Sequence, residues 1–308
     1  MAVISALNIQ IAHSQTDTLD PVNNMPNAFT ADSKRIIFQS WGKLENGKSI
    51  NQLLSMNLDG SDVRREVGAG FNMGWPEFTR DGKRVALFSQ IEKNYDLLVF
   101  DLMEANNLAQ FSSVKRITHH PKEDFFISWS PDEKQLAFYS HRDEVNPSEG
   151  EKAQIYVVNV DGTAIKNLSN NNARESDPDW SIQNQITFQS NLTGNNDIWV
   201  MNGNGHHRSN LTNHPAEDHF GDWSPDGEHI VFSSDRDGDE DLYIMDKNGA
   251  NVRQLTNAAG IDRWPLWSPD GKTITFSRVV NKWGYVYTIT PDGRQETKLT
   301  EKRSYQIK

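Results

Sequence analysis

Four acidic side chains stand at one repeated position along the sequence. Asp124, Glu175, Asp218 and Asp262 each lie five residues before a tryptophan. If the fold brings them round a common axis, their oxygens suit Ca²⁺, which takes roughly six to eight oxygen ligands, and their charge suits a cationic peptide segment. Solvated charges that cap strand ends are the other interpretation. The pattern predicts a ligand-binding arc, with Ca²⁺, a cationic segment and solvent as alternatives.

Histidines form a second candidate group. His120 and His214 are each followed by proline and each stand nine residues before a tryptophan, while His219 directly follows one of the four carboxylates. His141 takes the place that Asp235 holds in another part of the chain. Imidazole binds zinc, manganese or iron and also serves as a general base. A transition-metal site is therefore one interpretation, and a His-Pro loop that only shapes the chain is the other.

Arg278 departs from a repeated serine position. The sequence carries a serine at five comparable places, Ser40, Ser89, Ser140, Ser190 and Ser234. An arginine there would either pair with the carboxylates of the arc or bind an anionic ligand.

These positions are comparable because the chain repeats itself six times. Each unit has an aromatic anchor followed by a form of Ser-Pro-Asp-Gly, and successive anchors are 49, 51, 51, 43 and 44 residues apart. That period is typical of propeller blades, which take roughly 40–50 residues. The anchors are Phe29, Phe78, Trp129, Trp180, Trp223 and Trp267.

Each unit has the pattern of four short strands. An apolar pair at period two follows every turn, as in Ile230 and Phe232, and Asp-Gly or Asn-Gly later marks a hairpin. Because one sheet cannot bury both of its faces, the units must stack round an axis. We predict an all-β protein, a single six-bladed β-propeller of four-stranded antiparallel blades over residues 23–300. Residues 1–22 are either a signal remnant or a closing strand, and 301–308 form a tail that is the other candidate for ring closure.

Composition excludes several classes of function. The sequence has no cysteine, which excludes disulfides, thiol nucleophiles and iron–sulfur clusters. Its formal net charge of −11 argues against nucleic-acid binding, which needs basic surfaces. No apolar run approaches the roughly 20 residues of a membrane-spanning helix. We expect a monomer that is periplasmic or secreted.

The repeats resemble the WD40-like repeats of the TolB propeller family. Residues 211–236 carry nearly the whole family phrase, LTNHPAEDHFGDWSPDGEHIVFSSDR. The resemblance covers nearly the full chain and implies the fold, whereas function does not follow from fold. The units are also similar to those of oligogalacturonate lyases, a group that uses histidine-rich metal sites.

Two hypotheses of function follow. The first is a non-enzymatic propeller that binds a protein segment or small ligand at one face of its axial channel. The alternative is a metal-dependent polysaccharide lyase or hydrolase, with the histidines above as ligands.

Overall fold

The computed structural model describes residues 19–44, 49–67, 73–91, 94–108, 110–143 and 152–301. Within these ranges, strands β1 to β24 form six antiparallel sheets, each made of four consecutive strands. We number the sheets as blades 1 to 6 in chain order. The six-bladed all-β propeller that the repeats predict is therefore confirmed.

Four strands at equivalent positions build each blade. The inner strands, which line the axis, are β1 (Leu19–Phe29), β5 (Met73–Phe78), β9 (Asp124–Trp129), β13 (Glu175–Trp180), β17 (Asp218–Trp223) and β21 (Ile261–Trp267). The second strands are β2 (Arg35–Leu44), β6 (Arg84–Ile91), β10 (Gln135–Ser140), β14 (Gln185–Ser190), β18 (His229–Ser234) and β22 (Ile274–Val280). The third strands are β3 (Ser49–Asn57), β7 (Asn94–Leu102), β11 (Gln154–Asn159), β15 (Asp197–Asn202), β19 (Asp241–Asp246) and β23 (Trp283–Ile289). The outer strands are β4 (Arg64–Val67), β8 (Phe111–Arg116), β12 (Lys166–Asn167), β16 (Ser209–Asn210), β20 (Arg253–Gln254) and β24 (Glu296–Lys298).

The hydrophobic core lies between neighbouring blades. The apolar pairs of the second strands are buried in every blade, as their period of two predicts. Leu97 of blade 2 belongs to one cluster with Leu136 and Phe138 of blade 3, so the sheets pack face to face. Burying a side chain of this size contributes about 1.5–3 kcal/mol. Stacking of sheets therefore supplies the core that one blade lacks.

The Ser-Pro-Asp-Gly turn returns each inner strand into its second strand. In blade 5, Asp226 Oδ1 accepts hydrogen bonds from Ser224 Oγ at 2.6 Å and from Glu228 N at 3.0 Å. Gly227 has a φ of 71°, the left-handed region that glycine enters at no steric cost. Blade 3 has Glu133 at this position with a φ of 55°. The turn geometry therefore survives where the sequence motif is degenerate.

The ring closes where blade 6 meets blade 1. Strand β1 begins at Leu19, earlier than the predicted propeller start, and contacts β21, β22 and β23. Gly284 N donates to Asn23 Oδ1 at 2.9 Å, and Ser277 Oγ donates to the Asn24 carbonyl at 3.4 Å. Among the described residues no sheet takes strands from both ends of the chain. A closing strand was predicted in residues 1–22 or in the tail 301–308, and of these segments residues 1–18 and 302–308 lie outside that part.

No helix in the described ranges is long and apolar enough to cross a membrane.

Candidate functional site

A β-bulge in every inner strand sets the geometry of the axis. The pairing of each inner strand with its second strand shifts register before the anchor. In blades 2 to 6, the residue three positions before the anchor has positive φ although it is not glycine, a conformation that costs about 1–3 kcal/mol. These residues are Trp75 (45°), Phe126 (47°), Asp177 (53°), Phe220 (56°) and Trp264 (53°).

The bulged residues line a cavity of about 460 Å³ on the axis. All six inner strands contribute to its wall. Four of the bulged residues, Trp75, Phe126, Phe220 and Trp264, form what we call the aromatic collar. The Trp75 and Phe126 ring centroids are 4.4 Å apart, and those of Phe220 and Trp264 are 5.6 Å apart. Asp177 of blade 4 stands between the two aromatic pairs in blade order.

Three acidic residues directly before the anchors form a second level of the cavity wall. We call Glu77, Asp179 and Asp222 the channel carboxylates. Each accepts a hydrogen bond from the backbone N–H of the anchor in the following blade. The donors are Trp129 N to Glu77 at 3.1 Å, Trp223 N to Asp179 at 2.7 Å and Trp267 N to Asp222 at 2.6 Å.

Ser128 takes the equivalent place in blade 3 and connects two of these acids. Its Oγ accepts from Trp180 N at 2.9 Å and lies 3.1 Å from Asp179 Oδ1, to which it can donate. The same hydroxyl is 3.4 Å from Glu77 Oε1. Blades 1 and 6 have Ala28 and Leu266 at this position. The acidic residues of the wall therefore belong to blades 2, 4 and 5.

The channel carboxylates hold protons more tightly than ordinary acids. Burial raises the pKa of Glu77 well above its usual value, and the charge of Asp179 raises it further. Burial, again helped by the charge of Asp179, raises the pKa of Asp222 in the same way, and burial raises that of Asp179 itself. All three are partly open to the cavity, although they lie deep in the molecule. A positive charge placed beside them would relieve this repulsion.

The four predicted arc carboxylates lie elsewhere. Each is 0% exposed, none lines the cavity, and each is bound by an arginine. The pairs are Asp124 with Arg142 at 2.7 Å, Glu175 with Arg208, Asp218 with Arg236 at 2.9 Å, and Asp262 with Arg278 at 2.7 Å.

These arginines close the carboxylates off inside their own blades. Arg236 lies over the rings of Phe232 and Tyr243, with its Cζ 5.2 and 4.7 Å from the ring centroids. Arg278 binds Asp262 through two nitrogens and also binds Glu296 at 2.6 Å, so the predicted pairing with a carboxylate is confirmed. Its guanidinium is 4% exposed and already occupied by these acids. A ligand would reach the arc only after such pairs opened.

No three of the four candidate histidines, which all lie in the described ranges, are grouped so that they could hold a metal ion. His120 Nδ1 accepts from Lys122 N at 3.1 Å, and His214 Nδ1 accepts from Ala216 N at 3.1 Å. Both therefore brace their own His-Pro loops. His219 Nδ1 is 3.0 Å from Gln189 Oε1, and the His141 ring packs edge-on to Tyr139.

Neither Ca²⁺ on the arc carboxylates nor a transition metal on the four histidines fits the arrangement of these side chains. Across the described residues, no three His, Asp or Glu side chains are grouped to hold a metal ion. The arc carboxylates already have arginine cations as partners, which oppose binding of Ca²⁺. The two loop histidines use Nδ1 to fix the backbone.

Neither the channel carboxylates nor Phe126 and Phe220 were predicted from the sequence as site residues. An available signal was the acid directly before the anchor in blades 2, 4 and 5, in the pairs Glu77-Phe78, Asp179-Trp180 and Asp222-Trp223. A tryptophan or phenylalanine three positions before the anchor was a second signal. The bulge, which the sequence does not reveal, separates these two positions from the arc carboxylates, none of which lines the cavity.

We expect the buried ion pairs to stabilise the blades. Asp218→Ala leaves Arg236 without its carboxylate and lowers the free energy of unfolding by about 3 kcal/mol, measured by urea denaturation. The double variant Asp218→Ala, Arg236→Ala should lose less unfolding free energy than the two single variants together, because it leaves no unpaired buried charge. As a control, Glu228→Ala removes the exposed pair with Lys247 and costs under about 1 kcal/mol. Equal effects of Asp218→Ala and Glu228→Ala would contradict this role.

We expect the channel carboxylates to make stability depend on pH. An acid whose pKa is raised on folding stabilises the fold at low pH, and this contribution is lost as pH rises through the folded-state pKa. The comparison is with a triple variant, Glu77→Gln, Asp179→Asn, Asp222→Asn. Relative to that variant, the wild type should lose unfolding free energy as pH rises above the ordinary pKa values of Asp and Glu, 3.8 and 4.5. Urea denaturation across a pH series measures the difference.

Asp226→Asn is the control for the sign of this effect. The Ser224 hydroxyl lowers the pKa of Asp226, so its contribution is present above pH 3.8 and is lost as pH falls. A difference between wild type and triple variant that is flat with pH, or follows the Asp226 trend, would contradict the raised pKa values.

Comparison with known proteins agrees with this architecture. No protein of curated function matches the sequence. TolB from Acinetobacter baumannii superimposes with a TM-score of 0.67 at 17% identity over 92% of this chain, and the chain spans 64% of that protein. The putative TolB from Agrobacterium tumefaciens gives 0.60 at 20% identity, with 83% of this chain and 88% of that one covered.

An oligogalacturonate lyase in complex with manganese gives a TM-score of 0.62 at 15% identity, with 93% of this chain and 84% of that one covered. At such identities these likenesses show the fold alone. The family model of the TolB beta propeller domain, PD40, matches residues 148–307, more than half of the chain. The chain belongs to the TolB beta propeller domain family.

Proposed function

We propose that the protein is a non-enzymatic binding scaffold that takes a protein segment or small ligand into its axial cavity. The observation that carries this proposal is the cavity itself, whose wall combines the aromatic collar with the three channel carboxylates and Asp177. Its volume of about 460 Å³ lies within the range of ligand sites, roughly 300–1,000 Å³. Apolar walls with a few convergent polar groups are typical of such sites.

In this proposal the arc residues act indirectly. Asp124, Glu175, Asp218 and Asp262 begin their inner strands or lie next to the start, and their arginine pairs fix those strands. They would then position the collar rather than touch the ligand.

We also propose a periplasmic or secreted location. The support is the resemblance of the repeats to those of the TolB family and the uncharged apolar run at the start of the chain. Because this run lies outside the described residues, the proposal rests on sequence.

Blocking the cavity mouth should abolish binding. Ala31 lines the cavity on the turn after β1 and is partly exposed, so Ala31→Trp fills the mouth without entering the core. Peptides selected from a displayed random library on the wild type should lose at least about tenfold in affinity for this variant. Ala250→Trp, on an exposed turn of blade 5, is the matched control and should bind them unchanged. Peptides that bind all three proteins equally would refute a cavity site.

The alternative, a metal-dependent lyase or hydrolase, has a separate test. It requires stoichiometric Mn, Zn or Fe in untagged purified protein and loss of that metal in His120→Ala or His214→Ala. We expect elemental analysis to find none of these metals at stoichiometric level, because both histidines use Nδ1 to brace their loops. Bound metal together with cleavage of polygalacturonate would reverse the proposal.

A further inference from the structure

We propose that the axial cavity binds an organic cation, an alkylammonium or guanidinium group held between the aromatic collar and the channel carboxylates. This inference rests on the proposed function and gives the chemistry of the ligand. Three independent features of the cavity lead to it: charge, aromatic surface and an unsatisfied amide.

The charge of the cavity wall is strongly one-sided. Glu77, Asp177, Asp179 and Asp222 line it, and Arg80 is the one basic side chain among the described lining residues. Arg80 is directed to blade 3 at the mouth, where it binds the Pro131 carbonyl and Glu133 Oε1. A cationic guest would therefore meet four acids and one occupied base. Inside a wall of low polarity, such attractions are several times stronger than in water.

The aromatic collar supplies the second feature. Elsewhere in the chain, rings carry a cation: Arg142 lies over Phe138, and Arg208 lies over Phe188 at 4.7 Å. No lysine or arginine of the described residues lies over Trp75, Phe126, Phe220 or Trp264. Indole faces are the best aromatic partners for a cation, and recognition of ammonium groups by several rings is their best-known functional use. Trp75 and Trp264 bring two indole rings to the wall that the carboxylates also line.

Asn27 supplies the third feature. It lines the cavity from blade 1, is 3% exposed, and neither its amide nitrogen nor its amide oxygen has a partner among the described residues. A buried amide without hydrogen-bond partners destabilises the fold. The Asn27 carbonyl would accept a hydrogen bond from an ammonium or guanidinium N–H. Blade 1 faces blade 4 across a six-membered ring, so Asn27 and Asp177 would reach such a guest from opposite sides.

These features favour an organic cation over a bare metal ion. A hard cation must exchange its water shell for roughly six or more oxygens, and the described residues hold no group arranged for that purpose. Much of the wall is aromatic or apolar, which suits the carbon part of an alkylammonium or the face of a guanidinium.

Binding should also displace protons. Burial raises the pKa of Glu77 and Asp222, which favours their protonated forms when no cation lies beside them. A cation favours the ionised form and so lowers those pKa values, which makes its affinity increase with pH. Asp177 and Asp179 face the same space and contribute in the same direction.

Matched probes test the inference on the intact chain by calorimetry. In one arm, phenethylammonium is compared with its neutral isostere 2-phenylethanol. In the other, a capped Gly-Lys-Gly peptide is compared with the same peptide acetylated on the lysine amine. We expect each cation to bind at least about tenfold more tightly than its neutral partner, and increasingly so at higher pH. A preference in the first arm alone identifies free amines as the source, and one in the second alone identifies protein side chains.

Variants then locate the site. Trp264→Leu keeps the apolar wall but removes an indole face and should weaken cation binding about threefold to thirtyfold. Asp222→Asn keeps the carbonyl that accepts from Trp267 N and should weaken it about tenfold or more. Asp161→Asn removes the same charge from an exposed turn of blade 3 and should leave binding unchanged.

Two results would overturn the inference. One is equal binding of cationic and neutral probes, or no binding of either. The other is cation binding that does not depend on the cavity. In that case Trp264→Leu and Asp222→Asn would leave the affinity unchanged, or Asp161→Asn would weaken it as much as they do. Selected peptides that still depend on an open cavity mouth would leave the proposed function standing in each case, so the two failures are distinguishable.

Discussion

The extra residue in each inner strand is the constraint on which the rest of the structure depends. Without a bulge, positions five, three and one before the anchor would share a face, since side chains alternate with period two. The bulge interrupts that alternation. Asp218 consequently turns into the blade to meet Arg236, whereas Asp222 lines the axis and binds the next blade. A single backbone irregularity thus separates a structural acid from a cavity acid.

The bonds made at the axis are unevenly distributed round the ring. Glu77, Ser128, Asp179 and Asp222 each accept from the following anchor, which links blades 2 to 6 in sequence. Ala28 and Leu266 have no acceptor in their side chains, so the two remaining contacts depend on apolar packing and on bonds such as that of Gly284 to Asn23. The repeats are therefore alike in fold and unlike at the axis, which gives the cavity an acidic side and an apolar side.

Local features of the sequence predicted the fold well because each blade is made of four strands that follow one another along the chain. The turn motifs, the hairpin signals and the period-two spacing of pairs such as Leu136 and Phe138 each lie within the sequence of one blade. The site was predicted poorly because it depends on backbone register and on partners distant in sequence. Arg142 follows the repeat pattern, but Arg208 reaches Glu175 from the approach to an outer strand. The alternation of side chains along a strand could not show that arginines separate the arc carboxylates from the cavity.

The channel carboxylates carry a cost that folding alone does not explain. Burying several acids beside one another destabilises their charged forms, and apolar replacements at buried charged sites are often neutral or stabilising. Leu266 shows that an apolar side chain is accommodated at this position in blade 6. Blades 2, 4 and 5 nevertheless keep acids, next to rings held in a strained backbone conformation. Departures from stability rules that coincide at one cavity are typical of functional sites. A guest with a positive charge would remove the repulsion between these acids. It would also contact the aromatic rings whose backbone is strained.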